Sequence, residues 1–273
     1  MGLNTILGIV LVGGESRRFG EPKPLYAVEG VPMGLRVAKA LKGGGVSRVV
    51  FAAPLERLHI AESLASRCGV CGVLLDPPLP CPGPLRALSA IHSLAGYEHV
   101  VVAPGDAPWL DAASVESLIR ESFERRLLVT PLYGDGSVNP LITAAPRGSF
   151  ALVVHTCINR PWGWRATDAL RASYPGFAAV GVNLLGDPLT FYSVNTRREL
   201  KEPRPPPGHK GATEVLGVQG VFLEALNSWA SGRLLWALEC FRVELKVYKA
   251  HRISLLERHV NFDIEALVPL HDT

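Results

Sequence analysis

The sequence predicts an α/β fold: a mostly parallel sheet with helices on both faces, and a small α-helical extension at the carboxyl end. Three observations predict it. Short apolar runs rich in β-branched residues alternate with stretches of helical period from Ile6 to Leu132, the pattern of successive βαβ units. The runs are continuously apolar rather than alternating, as in strands buried on both faces. The residues with the most chemistry sit in loops that follow strands, where ligands collect in parallel sheets.

Taken in order, Ile6 to Val12 reads as the first strand, Leu25 to Val28 as a short extended piece, and Gly34 to Lys42 as a helix through Leu35, Val37, Ala38 and Leu41, stopped by Gly43-Gly-Gly45. The alternation then repeats. Strands are predicted over Arg48 to Ala53, Val70 to Leu75, His99 to Ala103 and Leu127 to Leu132. Helices are predicted over Glu56 to Ser66, Leu85 to Leu94 and Ala112 to Arg125. Beyond Pro131 the pattern changes, and Asn139 to Ala144 reads as an antiparallel strand region. Pro203 to Gly208 is a stiff, polyproline-like stretch. After it, Val215, Val218, Phe222, Leu226 and Trp229, and then Leu234, Leu238, Phe241, Leu245 and Tyr248, fall at spacings of three or four, which predicts two amphipathic helices with Gly232 near the turn.

Length and composition bound the function. A chain of 273 residues, 48% apolar and 19% charged, buries one sizeable core and a small second unit. The formal charge of +3 does not by itself imply a nucleic-acid surface. No apolar run reaches the ~18–20 residues of a membrane span, and the amino-terminal run lacks the preceding positive charges of a signal peptide, so a cytoplasmic location is the default. Five cysteines in a long chain do not make a disulfide framework. Cys68-x-x-Cys71 with Cys81 is a weak zinc or disulfide pattern, and buried, inert thiols are expected instead.

The chain is organised around Leu11-Val-Gly-Gly-Glu-Ser-Arg-Arg-Phe-Gly-Glu-Pro-Lys23. Gly13 and Gly14 allow close approach of a ligand or a positive φ, and Arg17, Arg18 and Lys23 put three cations in the same loop, which with exposed backbone N–H groups suits a polyphosphate. A P-loop is excluded, because five residues separate Gly14 from Gly20 and Glu21-Pro22 follows. The dinucleotide fingerprint is absent as well. Asp106 ends the strand Val101-Val-Ala-Pro-Gly-Asp106. A lone carboxylate facing a triphosphate suffices for magnesium, which completes its octahedron with water and phosphate oxygens, while Asp111 is the better cap for the helix that follows. Asp76 follows the third predicted strand ahead of Gly83-Pro84-Leu85, either as a base-reading group or as an ordinary Asp-Pro turn residue. Trp162, Trp164 and Arg165 form a loop that suits a flat, anionic second substrate, although buried aromatics are the commoner explanation.

The glycine-rich stretch resembles the signature Leu-x-Gly-Gly-x-Ser-x-Arg-x-Gly-x-x-Lys of nucleotidyltransferases with a Rossmann-like three-layer α/β/α fold, in particular the molybdenum cofactor guanylyltransferases. Leu11, Gly13, Gly14, Ser16, Arg18, Gly20 and Lys23 match, and Phe19 replaces the usual Met. Asp106-Ala-Pro-Trp-Leu110 resembles the second signature, Asp-x-Pro-x-Leu, whose Asp holds magnesium. Asp76 with Gly83-Pro84-Leu85 resembles the guanine-selecting region; Ala87 stands where Gly is common, and Ala52-Ala-Pro54 where an Asn is often found. Phe191 to Leu200 resembles the family's closing strand and turn, with Asn195 on its second Asn, Ser193 for the first and Arg197 for a Pro.

The resemblance, which spans Ile6 to Leu200, implies a nucleotidyltransferase domain over 1–202; composition and periodicity give a Pro-rich linker over 203–209 and a helical extension over 210–273 that does not resemble the family. The resemblance also implies GTP held by Leu11, Val12, Gly13, Gly14, Glu15, Ser16, Lys23, Asp76, Gly83 and Asp106, with Arg18, Lys23 and Asp106 catalytic and Mg²⁺ on Asp106 and Asn195. The expected reaction moves GMP to a phosphorylated cofactor precursor, molybdopterin foremost, with release of pyrophosphate. Cobinamide phosphate, or a cytidylyl or sugar-phosphate reaction, is the alternative within the class, and a non-catalytic nucleotide-binding adaptor the alternative outside it. No nucleic-acid or membrane partner is expected. The length of the Pro-rich spacer favours terminal helices that serve a homo-oligomer or a partner enzyme.

Overall fold

The computed structural model describes residues 5–158 and 163–271. Its first half follows the predicted alternation: β1 (Ile6–Leu11), a hairpin of β2 (Ala27–Val28) and β3 (Val31–Pro32), α1 (Met33–Gly43), β4 (Arg48–Ala53), α2 (Leu58–Cys68), β5 (Gly72–Leu75), α3 (Pro84–Ala90), β6 (His99–Pro104), α4 (Ala112–Arg125) and β7 (Leu128–Leu132). Asp111 caps α4, its carboxylate accepting from the Ser114 amide at 2.8 Å. The second half comprises β8 (Thr143–Pro146), the short helix α5 (Asp168–Arg171), β9 (Gly176–Gly181), the short helices α6 (Val182–Leu185) and α7 (Arg197–Lys201), β10 (Ala212–Leu216), and the helices α8 (Val218–Ala230), α9 (Leu234–His251) and α10 (Ser254–His271).

The eight-stranded sheet has the order β10-β9-β7-β8-β6-β1-β4-β5. Six strands run one way, whereas β8 is antiparallel to β6 and β7, and β10 is antiparallel to β9. The chain steps outward from β1 to β4 and β5, then returns to the other side of β1 as β6, so strand order reverses between β1 and β6 and opens a crevice at their carboxyl ends. The two faces carry separate cores, as a sheet covered on both sides requires. Ile6, Val10, Phe51, Val101 and Ala103 pack under α1, α2 and α4. Leu7, Ile9, Val102 and Phe177 pack with Leu88 of α3 and with Phe222, Phe241, Tyr248, Leu256 and Val260 of the terminal helices.

Several expectations are corrected. The closing strand expected within Phe191 to Leu200 is a 3₁₀ turn, Pro188–Phe191, followed by α7. The reason lies in Thr196-x-x-Glu199, a capping box: the Thr196 hydroxyl accepts from the Glu199 amide at 3.2 Å, and the Glu199 carboxylate accepts from the Asn195 amide at 2.6 Å. The terminal helices number three among the described residues, and Val215 lies in β10 rather than at a helix start. Nor does the Pro-rich stretch run free. Gly134 donates to the Pro207 carbonyl at 2.7 Å, Asn183 to His209 at 3.0 Å and Gly181 to Gly211 at 2.7 Å, which lay it along the domain and lead it into the sheet as β10.

The apolar stripes expected to meet a partner are covered in cis. Val218, Phe222, Leu238 and Phe241 are buried, and Trp229 and Leu245 are packed against the same core. Inert thiols are corrected too, because Cys68 pairs with Cys71 and Cys81 with Cys157, leaving Cys240 free and buried. Cys157 lies 76 residues from Cys81, so spacing alone cannot reveal their meeting. No helix among the described residues is long and apolar enough to cross a membrane.

Candidate active site

The parallel ladder continues one step past the strand ends and brings the loops that follow them together. Gly105 donates to the Leu11 carbonyl at 2.9 Å, Val12 to Ala52 at 2.9 Å and Asp76 to Ala53 at 3.0 Å. The loops after β1, β4, β5 and β6 thereby surround one cavity of about 510 Å³. Leu11, Gly13, Gly14, Glu15, Ser16, Lys23, Asp76, Gly83 and Asp106 all line it. Three of the predicted residues do not. Val12 is buried in the sheet core, Arg18 is exposed at the rim of its loop, and the exposed Asn195 is held through its main chain on Glu199.

The glycine-rich loop folds on its own contacts. Ser16 sits at φ 53° and Gly20 at φ 87°, and both the Phe19 and Gly20 amides return to the Ser16 carbonyl. The Ser16 hydroxyl accepts from the Lys23 amide at 3.0 Å, which closes the loop over seven residues. Neither Gly13 nor Gly14 has positive φ, and the close approach at Gly13 is internal: a Cβ there would lie 2.4 Å from Cδ of Pro54. A Cβ on Gly14 would meet nothing within 4 Å, so this residue borders open cavity.

At the crevice Lys23 Nζ donates to Asp106 Oδ2 and to the Val194 carbonyl at 2.8 Å, and the Val194 amide donates to the Asp106 carbonyl at 2.9 Å. Asn195 therefore belongs to the segment that buttresses the pair, while its side chain is not among the groups facing the cavity. Burial holds the Asp106 carboxyl above its usual range, against the opposing pull of the Lys23 ammonium. Across the cavity, burial raises the Asp76 carboxyl to about 6, opposed by the Arg86 charge, and Asp76 Oδ1 is buried without a hydrogen-bond partner in the protein. Asp76 lines the cavity, and a buried acceptor left without a protein partner is an exception that calls for one.

Sequence reasoning missed two cations. Arg57, at the start of α2, lines the cavity and donates to the Gly14 carbonyl at 3.1 Å, and Arg86, in the first turn of α3, lines it beside Asp76. The signal for Arg86 was its place directly after Gly83-Pro84-Leu85. The loop expected to face a second substrate is otherwise engaged. Trp164 donates to the Ile158 carbonyl at 3.0 Å, Arg165 pairs with Asp263 at 2.6 Å, and Trp162 lies outside the described residues.

A crevice at the strand reversal, a loop of free amides and a lysine paired with a strand-end carboxylate define a nucleotide-binding α/β protein of the nucleotidyltransferase class. The chain belongs to the MobA-like NTP transferase domain family, which it matches over residues 8–216, from β1 to the end of β10. A probable molybdenum cofactor guanylyltransferase of Thermococcus sibiricus is 25% identical over 213 residues, 77% of this chain and 100% of that protein. The molybdenum cofactor guanylyltransferase of Xanthomonas euvesicatoria is 31% identical over 149 residues, 52% of this chain and 71% of its own length. The fold is shared with molybdopterin-guanine dinucleotide biosynthesis protein A from Archaeoglobus fulgidus, at a TM-score of 0.57 and 20% identity over 72% of this chain and 96% of that one.

Proposed function

We propose that the chain is a magnesium-dependent guanylyltransferase that transfers GMP from GTP to a phosphorylated cofactor precursor, molybdopterin foremost, releasing pyrophosphate. The observation that carries this reading is one cavity lined both by the Lys23–Asp106 pair with its amide loop and by Asp76. Asp106 and Asp76 follow strands three steps apart in the sheet, about 14 Å at the usual strand spacing, a separation suited to a purine edge at one carboxylate and its phosphates at the other. The names of the relatives favour molybdopterin as the acceptor.

The donor set fits magnesium. Asp106 offers one largely buried carboxylate on a cavity sized for a triphosphate, and no three His, Cys, Asp or Glu cluster as a metal cage among the described residues, which leaves the remaining positions to phosphate oxygens and water. Asp106 would hold the ion, which when bound neutralises the α- and β-phosphate oxygens. The amides of Gly13 to Ser16 would hold the triphosphate, with Arg18 swinging in from the rim. Lys23 would stabilise charge on the α-phosphoryl group as an acceptor phosphate oxygen bonds to phosphorus and the bond to pyrophosphate breaks, the electron pair leaving with pyrophosphate. No general base is required, because a phosphate nucleophile is already ionised at neutral pH. Mass spectrometry of products after incubation with each nucleoside triphosphate, magnesium and candidate acceptors tests the reading. Absence of any guanylylated product, with another nucleotidyl adduct present, overturns it.

Asp76→Asn is expected to narrow the preference for GTP over ITP by about tenfold, since the amide cannot accept from both N1–H and the 2-amino group. The same change is expected to stabilise the free protein. Folded Asp76 keeps its proton up to about pH 6, against an ordinary value of 3.8, so ionisation at neutral pH costs the folded state, and that cost disappears below about pH 4. Melting temperatures at pH 7.5 and pH 4 check the sign: a rise in the variant only at the higher pH.

A further inference from the structure

We infer that Arg86 is a base-specificity residue, donating to the keto oxygen of guanine while Asp76 accepts from the neighbouring ring and amino N–H groups. This inference rests on the guanylyl transfer proposed above. Arg86 lines the cavity with its side chain only 24% exposed. Its Nε is anchored on the Cys81 carbonyl at 3.2 Å, and that carbonyl is itself held where the Cys81–Cys157 disulfide crosses to the turn Val153–Cys157. Its Nη1 lies 3.9 Å from Glu56 Oε1, too long for a hydrogen bond, and the Glu56 side chain is 67% exposed. An ion pair of that kind contributes little to stability. The guanidinium is thus fixed at one nitrogen while its far N–H groups remain to be given to a ligand.

What stands beside those donors selects the ligand. The Arg86 charge acts on Asp76, whose Oδ1 is buried without a protein partner. A donor and an acceptor lining one cavity match the guanine edge, where the 6-keto oxygen accepts and the N1–H and 2-amino groups donate. Adenine presents the reverse at its 6 position, with an amino group turned toward the guanidinium and no donor on N1. Sites built to hydrogen-bond a substrate reject the analogue that leaves their buried groups unpaired. A phosphate role fits Arg86 less well, because it follows β5, two strands from the loop after β1, and Arg57 already stands at the Gly14 carbonyl.

The test measures equilibrium binding of GTP, 6-thio-GTP, ITP and CTP by calorimetry, for the wild-type chain and for Arg86→Met and Arg86→Lys. The sulfur analogue weakens only the keto acceptor, and ITP removes only the 2-amino donor. The wild-type chain is expected to prefer GTP to each of the other three by roughly tenfold or more. Arg86→Met is expected to abolish discrimination against 6-thio-GTP while retaining that against ITP, and Arg86→Lys, which keeps charge without the fork, to retain part of it. Near-UV circular dichroism reports folding; should Arg86→Met misfold, the lysine variant carries the same comparison. Unchanged discrimination against 6-thio-GTP, or an equal loss for all four nucleotides, overturns the assignment while leaving guanylyl transfer standing. A wild-type chain that binds GTP no more tightly than CTP overturns both.

Discussion

Asp106→Asn is expected to lower transfer by roughly 10²- to 10³-fold or more while the fold persists. The amide has the shape of the carboxylate but not its charge, and it holds a divalent cation far more weakly. It also leaves Lys23, whose side chain is 13% exposed, with only neutral acceptors in that corner, the new amide oxygen and the Val194 carbonyl. Burial already pushes the Asp106 carboxyl toward its neutral form, so the substitution removes a charge the fold holds at some cost, and the drop in melting temperature is expected to be small. The measurement is single-turnover product formation over a magnesium titration, alongside GTP binding without magnesium. Wild-type turnover at saturating magnesium would remove Asp106 from the proposed site. Lost turnover with GTP binding intact without the metal is the expected pair of results.

The first half of the fold was legible because its strands are continuous β-branched runs and its helices carry one apolar stripe. Arg48–Ala53 and Ala112–Arg125 fall within the residues their patterns predict. Legibility fades where small residues make the strands. β9 is Gly-Phe-Ala-Ala-Val-Gly, buried at every position, and offers neither alternation nor bulk. β10 is an edge strand, Ala-Thr-Glu-Val-Leu, whose only fully buried side chain is Val215, and a helical spacing through Val215 and Val218 hides it. Most of the cavity lining was legible for another reason. In a parallel sheet the residues just past the strand ends converge, so three loops read separately become one site once strand order is known. Arg57 escaped because a single arginine at a helix start has no pattern, and Arg86, although it directly follows Gly83-Pro84-Leu85, is set against the cavity only by the fold.

The terminal helices were the part least legible, and beside their apolar packing they converge on one buried cation. Arg171, at the end of α5, has no exposed surface. Its guanidinium grips Glu244 of α9 through two bonds of 2.7 Å, reaches Asp263 of α10 at 2.7 Å and Asp168 at 3.1 Å, and stacks 3.9 Å from the centre of the Phe222 ring of α8. Tyr248 donates to Glu244 at 3.0 Å, and Arg165 holds Asp263 from the same side. Four helices thus meet on one side chain, which the apolar periodicity of α8 and α9 does not reveal.

Arg171→Met is therefore expected to destabilise the protein by about 3–5 kcal/mol at pH 7, the usual cost of removing one partner from a buried ionic cluster. Burial already raises the Glu244 carboxyl above its usual range even with Arg171 in place. Without that cation its folded pKa rises further above the unfolded value, so protonation of the native state recovers part of the loss as pH falls toward 5. Denaturant unfolding at pH 7 and pH 5 measures both effects. A triple change, Arg171→Met with Glu244→Gln and Asp263→Asn, is expected to restore much of the stability, because the penalty comes from uncompensated charge rather than lost volume. A chain ending at Leu216, where the family match stops, removes Glu244, Asp263 and Phe222 together and exposes the sheet face they cover. It is expected to be insoluble. A soluble, cooperatively folded truncation, or an Arg171→Met protein within about 1 kcal/mol of wild type, below the usual cost of breaking such a cluster, would show that the helices are appended to the transferase rather than part of its core.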